Sequence, residues 1–256
     1  MLSVHDAVSG AKTKIAFVGG DTLHVGFVIP DEAGPYTCAR VLAAGDLLRR
    51  VAEDIHSAQV LAAIISTDSW VTEQDWESAL SVRPVIGRFG ATNEAEAAFG
   101  HSLDFVVTVA EEHDQPASGP PAMLVAPAHA VVPYPGAEPT TARFALTNIN
   151  HRYRLDVTNS LLVHSHTMLE RWRDRVARWS QHPGRAIPPV WREAVVSAFD
   201  CDLNVARVAT LMGELEEADS VEPGAKFEAF TYVDRMLAID LGRHLGGPQP
   251  QRTDSG

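Results

Sequence analysis

The chain has 256 residues, of which 45% are hydrophobic, and its formal net charge is −12. This length and apolar content suffice to bury a core, either as one large domain or as two modest ones. No apolar run reaches the roughly 20 residues that cross a bilayer, and the first six residues lack the basic and apolar parts of a signal peptide. We therefore expect a cytoplasmic protein with no membrane partner.

Cysteine usage and net charge narrow the class of protein further. Cys38 and Cys201 are the two cysteines, and neither belongs to a CxxC pair, so we expect neither a disulfide framework nor a cysteine-rich zinc site. The acidic charge counts against a nucleic-acid partner, because phosphate binding depends on clustered lysine and arginine. Arginines do cluster between residues 171 and 178. A solvated helix face accounts for this cluster, and a polyanion-binding edge is the alternative.

The first half of the chain predicts alternating strands and helices. Continuous apolar runs predict strands at 14–18, 60–65 and 105–109, while apolar residues at helical spacing predict helices at 39–55 and 94–99. Such an alternation is typical of a parallel sheet with right-handed crossovers. We therefore predict a shortened Rossmann-like domain over residues 1–126.

The second half of the chain predicts a helical bundle. Residues 115–139 contain seven prolines and are interpreted as a connector with one edge strand at 123–125, because proline interrupts helices. Helices are predicted at 140–149, 158–181, 190–199, 204–218 and 223–244. The apolar stripe on 158–181, which includes Trp172 and Trp179, is expected to pack against the helices that start near 190 and 204.

These patterns give a complete domain prediction. The fold class is α/β, with a shortened Rossmann-like parallel sheet followed by an α-helical bundle. The predicted units are a nucleotide-binding-type domain at 1–126, a proline-rich connector with the first helix at 127–150, a helical bundle at 151–247 and a disordered polar tail at 248–256.

Two segments of the second half resemble cysteinyl-tRNA synthetases, a family of class I aminoacyl-tRNA synthetases. Residues 150–158 (NHRYRLDVT) are similar to the segment that joins the catalytic and helical domains of that family. Residues 200–204 (DCDLN) resemble the end of its helical domain on the anticodon side, a DALR-like domain. The resemblance covers about half of the chain and implies a Rossmann-like domain that binds ATP or AMP.

The resemblance also implies a nucleotide site near the start of the sheet. In this family a HIGH-type motif follows the first strand, and glycine there lets the backbone approach phosphates at a helix N-terminus. Here Gly19 and Gly20 follow the first predicted strand, and residues 23–26 (LHVG) resemble the start of the motif, which implies binding roles for His24 and Gly26. Aligning by the helix at 39–50 instead puts 35–38 (PYTC) at the motif. The sequence allows both alignments of the HIGH-type motif.

Two features of synthetase chemistry are missing from the sequence. No lysine occurs between Lys14 and Lys226, so the KMSKS-type loop, whose lysines stabilise charge on ATP during adenylation, is absent. The family's zinc cysteine corresponds to Gly19, so we expect no zinc and no metal site. Cysteine activation and a tRNA partner are therefore not expected, and the sequence leaves open whether the protein is an enzyme.

The expected ligand site lies at the carboxyl ends of the strands. Asp68 follows the second strand, at the edge where open parallel sheets bind ligands. We predict a pocket between residues 19–26 and 67–75 whose binding residues are Gly19, Gly20, His24, Gly26 and Asp68. The alternative is that residues 28–38, an insertion relative to the family, fold over this edge and fill it.

Two functions follow from the resemblance. One is a synthetase-like protein without aminoacylation activity, retained for binding a nucleotide, another small molecule or a protein partner. The other is a ligase or transferase of small-molecule metabolism that uses ATP or an aminoacyl-adenylate, since the mycothiol-pathway cysteine ligases resemble this family. The missing lysines favour the first function, and the LHVG segment favours the second.

Overall fold

The computed structural model describes residues 1–6, 8–15, 22–31, 33–68, 75–110, 119–130 and 138–246. The strands within these residues are β1 (Ser3–His5), β2 (Lys12–Lys14), β3 (Thr22–Val28), β4 (Gln59–Ile65), β5 (Arg88–Phe89), β6 (Phe105–Val109), β7 (Ala122–Val125), β8 (Ala128–Ala130) and β9 (Leu155–Val157). The helices are α1 (Pro35–Asp54), α2 (Trp76–Leu80), α3 (Thr92–Phe99), α4 (Pro139–Thr147), α5 (Asn159–Trp179), α6 (Pro189–Asp200), α7 (Val205–Glu217) and α8 (Pro223–Leu237). No helix in these ranges is both long and apolar enough to cross a membrane.

The centre of the fold is a five-stranded parallel sheet with the order β5-β4-β3-β6-β7. The chain runs outward from β3 to β4 and β5, and then returns to the other side of β3 for β6 and β7. This is the strand order of a Rossmann half, with its topological switch point between β3 and β6. The predicted Rossmann-like α/β fold is confirmed.

The two faces of β3 pack against different helices. Val25 and Phe27 are fully buried on the face that meets α1, where a Cβ on Gly45 would lie 2.5 Å from a ring carbon of Phe27. Gly26 lies on the opposite face, where a Cβ would lie 2.8 Å from a methyl carbon of Leu103. Neighbouring residues of a strand point to opposite faces, so Gly26 permits close packing in the sheet.

The prediction that residues 14–18 form the first strand of the parallel sheet is wrong. Lys14 is instead the last residue of β2, which pairs antiparallel with β1, and Ile15 follows that strand. The sheet begins at β3, which the sequence pattern did not reveal because His24 and Gly26 interrupt its apolar run. Residues 16–18 lie outside the described ranges.

Helices from the second half pack directly on the sheet domain through a buried ion pair. Arg143 of α4 donates to Asp46 of α1 at 2.6 Å, and neither side chain is exposed. The same guanidinium donates to the carbonyl oxygens of Leu80, at 2.8 Å, and Leu237, at 2.6 Å. Burial opposes ionisation of Asp46, but the charges of Arg143 and Arg50 outweigh it and lower the pKa of this carboxyl.

The apolar stripe of α5 is buried, as predicted, but its aromatic contacts differ from the prediction. The fully or nearly buried members are Leu169, Trp172, Val176 and Trp179, and Leu162 is half-buried. The Trp172 ring lies 5.6 Å from Phe144 of α4 and 6.0 Å from Phe230 of α8, both edge-on. The stripe therefore packs its rings against α4 and α8, whereas the helices at 190 and 204 were expected.

The last helix ends earlier than predicted. Helix α8 ends at Leu237, and Ala238 adopts a left-handed conformation with φ +51°. The carboxylate of Asp234 accepts the backbone N–H groups of Ile239 and Leu241, both at 2.9 Å, and so turns the chain. This tertiary arrangement overrides the helical pattern of 223–244. The tail predicted at 248–256 lies outside the described residues.

The two segments that resemble the synthetase family have structural roles. The buried Arg40 of α1 donates to the carbonyl oxygens of Asn150, at 3.0 Å, and Tyr153, at 2.6 Å, which fastens the 150–158 segment to the sheet domain. Burial lowers the pKa of Arg40 to about 10. At the other segment, the carboxylate of Asp202 accepts a hydrogen bond from the backbone N–H of His5 at 2.9 Å. The backbone N–H of Asp202 donates to the carbonyl oxygen of Ser3 at 2.8 Å. Both segments therefore hold neighbouring parts of the chain together.

Candidate functional site

The structure separates the residues of the predicted carboxyl-edge pocket. His24 and Gly26 lie within β3, and the expectation that they follow a strand in a turn is wrong. His24 is in register with Leu61 of β4, and Asp68 comes three residues after that strand ends at Ile65. Four strand residues span roughly 13 Å, so His24 and Asp68 lie towards opposite edges of the sheet and cannot line one pocket. Gly19 and Gly20 lie outside the described residues.

The start of α1 favours the second of the two motif registers. The helix that follows β3 begins at Pro35, so residues 35–38 stand at the strand-to-helix junction. Thr37 there exchanges hydrogen bonds with the backbone of Ala128, both at 3.1 Å. The Cys38 thiol donates to the Ala33 carbonyl at 3.3 Å, and burial raises its pKa to about 11. These two side chains are used in packing.

A cavity of about 580 Å³ lies at the amino edge of the sheet. Its walls come from β2, from the start of β3, and from the residues just before and at the start of β6. Lys14, His24, His101 and Asp104 provide its ionisable groups, and Leu23 and Phe105 belong to its apolar wall. This edge is opposite to the carboxyl edge on which sequence analysis placed the site.

His24 and Asp104 form a tightly bonded pair in this cavity. The register pairs Val25 with Phe105, which puts Asp104 beside His24. Asp104 Oδ2 accepts the backbone N–H of His24 at 2.8 Å and lies 2.9 Å from its ring Nδ1. The backbone N–H of Asp104 donates to the His24 carbonyl at 2.9 Å. Three contacts therefore hold the two residues together. The exposed fraction of the side chain is 12% for His24 and 36% for Asp104.

His101 completes the cluster by stacking on His24. The two rings are nearly parallel, at 13°, with centroids 4.7 Å apart, and Phe99 meets the His24 ring edge-on at 5.2 Å. A carboxylate only accepts hydrogen bonds, so the contact with Asp104 fits the His24 tautomer with its proton on Nδ1. His101 Nδ1 lies 3.0 Å from the carbonyl oxygen of Ser102, which fits the same tautomer. Each ring then has a lone pair at Nε2.

Sequence analysis missed His101 and Asp104. They precede β6, and the rule that ligands bind at the carboxyl ends of parallel strands directs attention to the opposite edge. One local signal was available, because His24 is a polar residue inside an otherwise apolar strand. Identifying its partner requires the pairing of β3 with β6, since His24 and Asp104 are 80 residues apart.

A second cluster of ionisable groups, Glu138, His166 and Glu170, lies in the helical half. The buried Arg173 donates to Glu138 at 2.9 Å and to Glu170 at 2.8 Å. Arg243 forms a further ion pair with Glu138. The carboxylates of this cluster are therefore already matched by cations of the protein itself.

The arginine cluster of α5 is likewise used within the bundle. Arg171 and Arg175 both pair with Glu216 of α7 at 3.2 Å, and Arg173 is fully buried. Arg178 donates to the carbonyl oxygen of Asp174 at 3.2 Å. These contacts favour the interpretation of the cluster as a helix surface over that of a polyanion-binding edge.

Fold and site together define a Rossmann-like α/β protein with a histidine-carboxylate cavity at the amino edge of its sheet. Comparison with protein-family models and with curated proteins finds no match to this chain. The resemblance to cysteinyl-tRNA synthetases therefore rests on the residues that carry it, chiefly those at 150–158 and 200–204.

Proposed function

We propose that this protein is synthetase-like in fold, binds a small polar molecule in the amino-edge cavity and does not activate amino acids. The observation that carries the proposal is the cavity itself, whose volume of about 580 Å³ lies in the range of small-molecule sites, roughly 300–1,000 Å³. Apolar walls with a few convergent polar groups are typical of such sites.

The charges around the cavity suggest the chemistry of the ligand. Lys14 supplies a cation, while Asp104 supplies an anion beside the adjustable ring of His24. A cation and an anion in one cavity suit a molecule that carries groups of both signs. An amino acid or an amino-acid derivative has this character, and it is the ligand class that we propose.

The absence of amino-acid activation follows from lysine usage. Adenylation develops charge on the ATP phosphates, and class I synthetases stabilise it with the lysines of the KMSKS loop. The sequence has no lysine between Lys14 and Lys226. We expect amino-acid-dependent exchange of pyrophosphate into ATP to be undetectable with the purified chain.

Ligand binding is tested by thermal shift with a panel of amino acids, their derivatives, AMP and ATP. Lys14→Ala and His24→Ala should each weaken binding of the compound that stabilises the parent. Lys12→Ala is the matched control, because Lys12 is on the same strand and its ammonium contacts Cys201 at 3.4 Å. If the Lys14 and His24 variants bind like the parent, the cavity is not the site.

A nucleotide site at the carboxyl edge is the second candidate. It is favoured by the switch point between β3 and β6, where Rossmann-like sheets bind nucleotides, and it would suit the ligase or transferase function. Asp31 and Thr67 are hydrogen-bonded to each other at this edge, close in sequence to Asp68. ATP binding that is lost in Asp68→Ala but retained in His24→Ala, together with pyrophosphate exchange, would favour this candidate over the first.

A further inference from the structure

We infer that His24, His101 and Asp104 bind a divalent transition-metal ion such as Zn²⁺ in the amino-edge cavity. The inference goes beyond the proposed function, because it assigns a metal ion to the cavity for which that proposal names an organic ligand. It departs from the expectation of no metal, which concerned a cysteine position at Gly19 and did not consider these three residues.

The spacing of the three side chains fits a metal centre after a small movement. One ligand atom from each residue lies within 4.8 Å of the other two. Zinc binds histidine nitrogen and carboxylate oxygen at roughly 2.0–2.2 Å, so the ligand atoms of a tetrahedral site lie about 3.4 Å apart. The closure that this geometry needs is therefore at most about 1.4 Å. His101 is exposed, and its ring turns out of the stack on His24 so that its lone pair faces the ion.

A hydrogen bond within the cluster holds one of its histidines in a tautomer that can bind a metal. Metal-binding histidines commonly donate their second ring N–H to a carboxylate or a backbone carbonyl, which fixes the tautomer and the ring orientation. His101 makes such a contact with the carbonyl oxygen of Ser102. His24 Nδ1 and Asp104 Oδ2, 2.9 Å apart, can bind the ion between them once the His24 proton has moved to Nε2, and Nε2 of His101 is the third ligand.

The donor set selects the kind of metal. Two imidazoles and one carboxylate suit zinc and ferrous iron, whereas magnesium and calcium prefer oxygen ligands alone. Three protein ligands leave at least one coordination position for water or another molecule. That position opens into a cavity that Lys14 also lines, so a carboxylate of the ligand can bind the metal and Lys14 together.

The other cluster, Glu138, His166 and Glu170, provides a control within the same chain. Its ligand atoms also lie within 4.8 Å of one another, but Arg173 and Arg243 pair with its carboxylates. A bound cation would have to displace or oppose these arginines, which costs free energy. Zinc binding should therefore depend on the cavity cluster.

The experiment measures zinc binding to the chelator-treated full chain by calorimetry, and bound zinc after dialysis by elemental analysis. The parent should bind one zinc ion per chain. His101→Ala and Asp104→Asn should each weaken zinc binding on the order of 10–100-fold or more, as changes at and around metal ligands do. His166→Ala should bind zinc like the parent, and circular dichroism checks that each variant is folded.

Two results would overturn the inference: no zinc bound by the parent, or equal zinc affinity in the parent and in both cavity variants. The proposed function fails in a different way. If zinc binds as expected but no compound of the panel stabilises the chain with or without zinc, the metal site stands and the proposed ligand class is wrong. If a compound binds through Lys14 while zinc does not bind, the metal inference alone is wrong.

Discussion

Polar side chains are used in two different ways at the helical interface and at the amino-edge cavity. At the interface, Arg143 and Asp46 are fully buried and bond only to groups of the chain itself. In the cavity, His24 and Asp104 bond to each other but also line open volume next to the exposed His101. The comparison teaches where to look for function. Substitutions at the interface should lower stability, and substitutions in the cavity should lower binding.

The interface charges belong to a wider pattern of buried arginines. Arg40, Arg143 and Arg173 are each at most 1% exposed, and each donates to backbone carbonyls that end or follow secondary-structure elements. Arginine suits this role because its planar guanidinium carries five donors in a fixed geometry. Arg40 and Arg143 join the sheet domain to the second half of the chain, and Arg173 joins α5 to the segment that follows α8. The two halves share one continuous core.

The largest expected effect is at the interface. Arg143→Ala leaves the carboxylate of Asp46 buried with one of its two cations removed, and breaking a buried pair typically costs about 3–5 kcal/mol. Urea unfolding measures the loss. The control is Arg185→Ala, which removes an exposed pair with Glu222 and should cost less than about 1 kcal/mol. Equal losses in the two variants would show that the buried pair does not stabilise the fold.

Trp172 tests the packing of the helical half at a similar magnitude. Trp172→Ala should lower the free energy of unfolding by about 3–5 kcal/mol, because it opens a cavity between Phe144 and Phe230. Trp172→Phe should be milder, since the indole N–H has no hydrogen-bond partner among the described residues. An unchanged melting temperature in Trp172→Ala would mean that α5 packs elsewhere.

His151 predicts a pH dependence of stability. Burial lowers its pKa from 6.5 to about 4, with Asp202 opposing the shift and Arg40 adding to it. The unfolded chain therefore binds the proton at a higher pH than the folded chain. Stability is unaffected by His151 above pH 6.5 and falls as the pH drops from 6.5 towards 4, by up to about 3 kcal/mol.

The test of this dependence compares unfolding free energies at pH 7 and pH 4.5. The difference between the two pH values should be smaller in His151→Gln than in the parent, because the variant has no group that titrates at this position. His164→Gln serves as the control, since His164 is exposed, and it should retain the parental difference. A parental difference in His151→Gln would contradict the assignment of the pH dependence to this residue.

The smallest stability effect is expected in the cavity. His101→Ala and Lys14→Ala remove exposed side chains, and surface substitutions usually change stability by less than about 0.5 kcal/mol. The same variants should weaken zinc and ligand binding, respectively. A large loss of stability in either variant, measured by the same urea unfolding, would mean that the cavity groups support the fold and would remove the contrast with the interface.

Much of the secondary structure could be predicted from local pattern. Continuous apolar runs identified β4 and β6, and helical spacing identified α1 and α5. These signals are local because a strand or helix repeats over a few residues. The misses have tertiary causes: His24 interrupts β3 because it faces a cavity, and Asp234 ends α8 by binding the backbone beyond it.

The candidate site was predicted less well than the fold. His24 was predicted to bind a ligand from a strand-to-helix turn and was grouped with Asp68, whereas it lies within β3 towards the other edge of the sheet. Gly26 was predicted to contact a ligand, and in the structure it permits the close approach of Leu103. His101 and Asp104 were missed because nothing in their local sequence marks them as partners of β3.

The sequence by itself determined the class of fold and one chemical exclusion. Alternating strand and helix patterns require a parallel sheet with crossovers, and a chain without lysine from residue 15 to 225 has no KMSKS-type loop. Only the tertiary structure decided which polar groups meet. The register of β3 with β6 brings His24 to Asp104 across 80 residues, and the packing of α4 on α1 buries Arg143 against Asp46. The periodicity of a sequence indicates which face of each helix or strand is buried. A site instead depends on which residues of different elements lie close together.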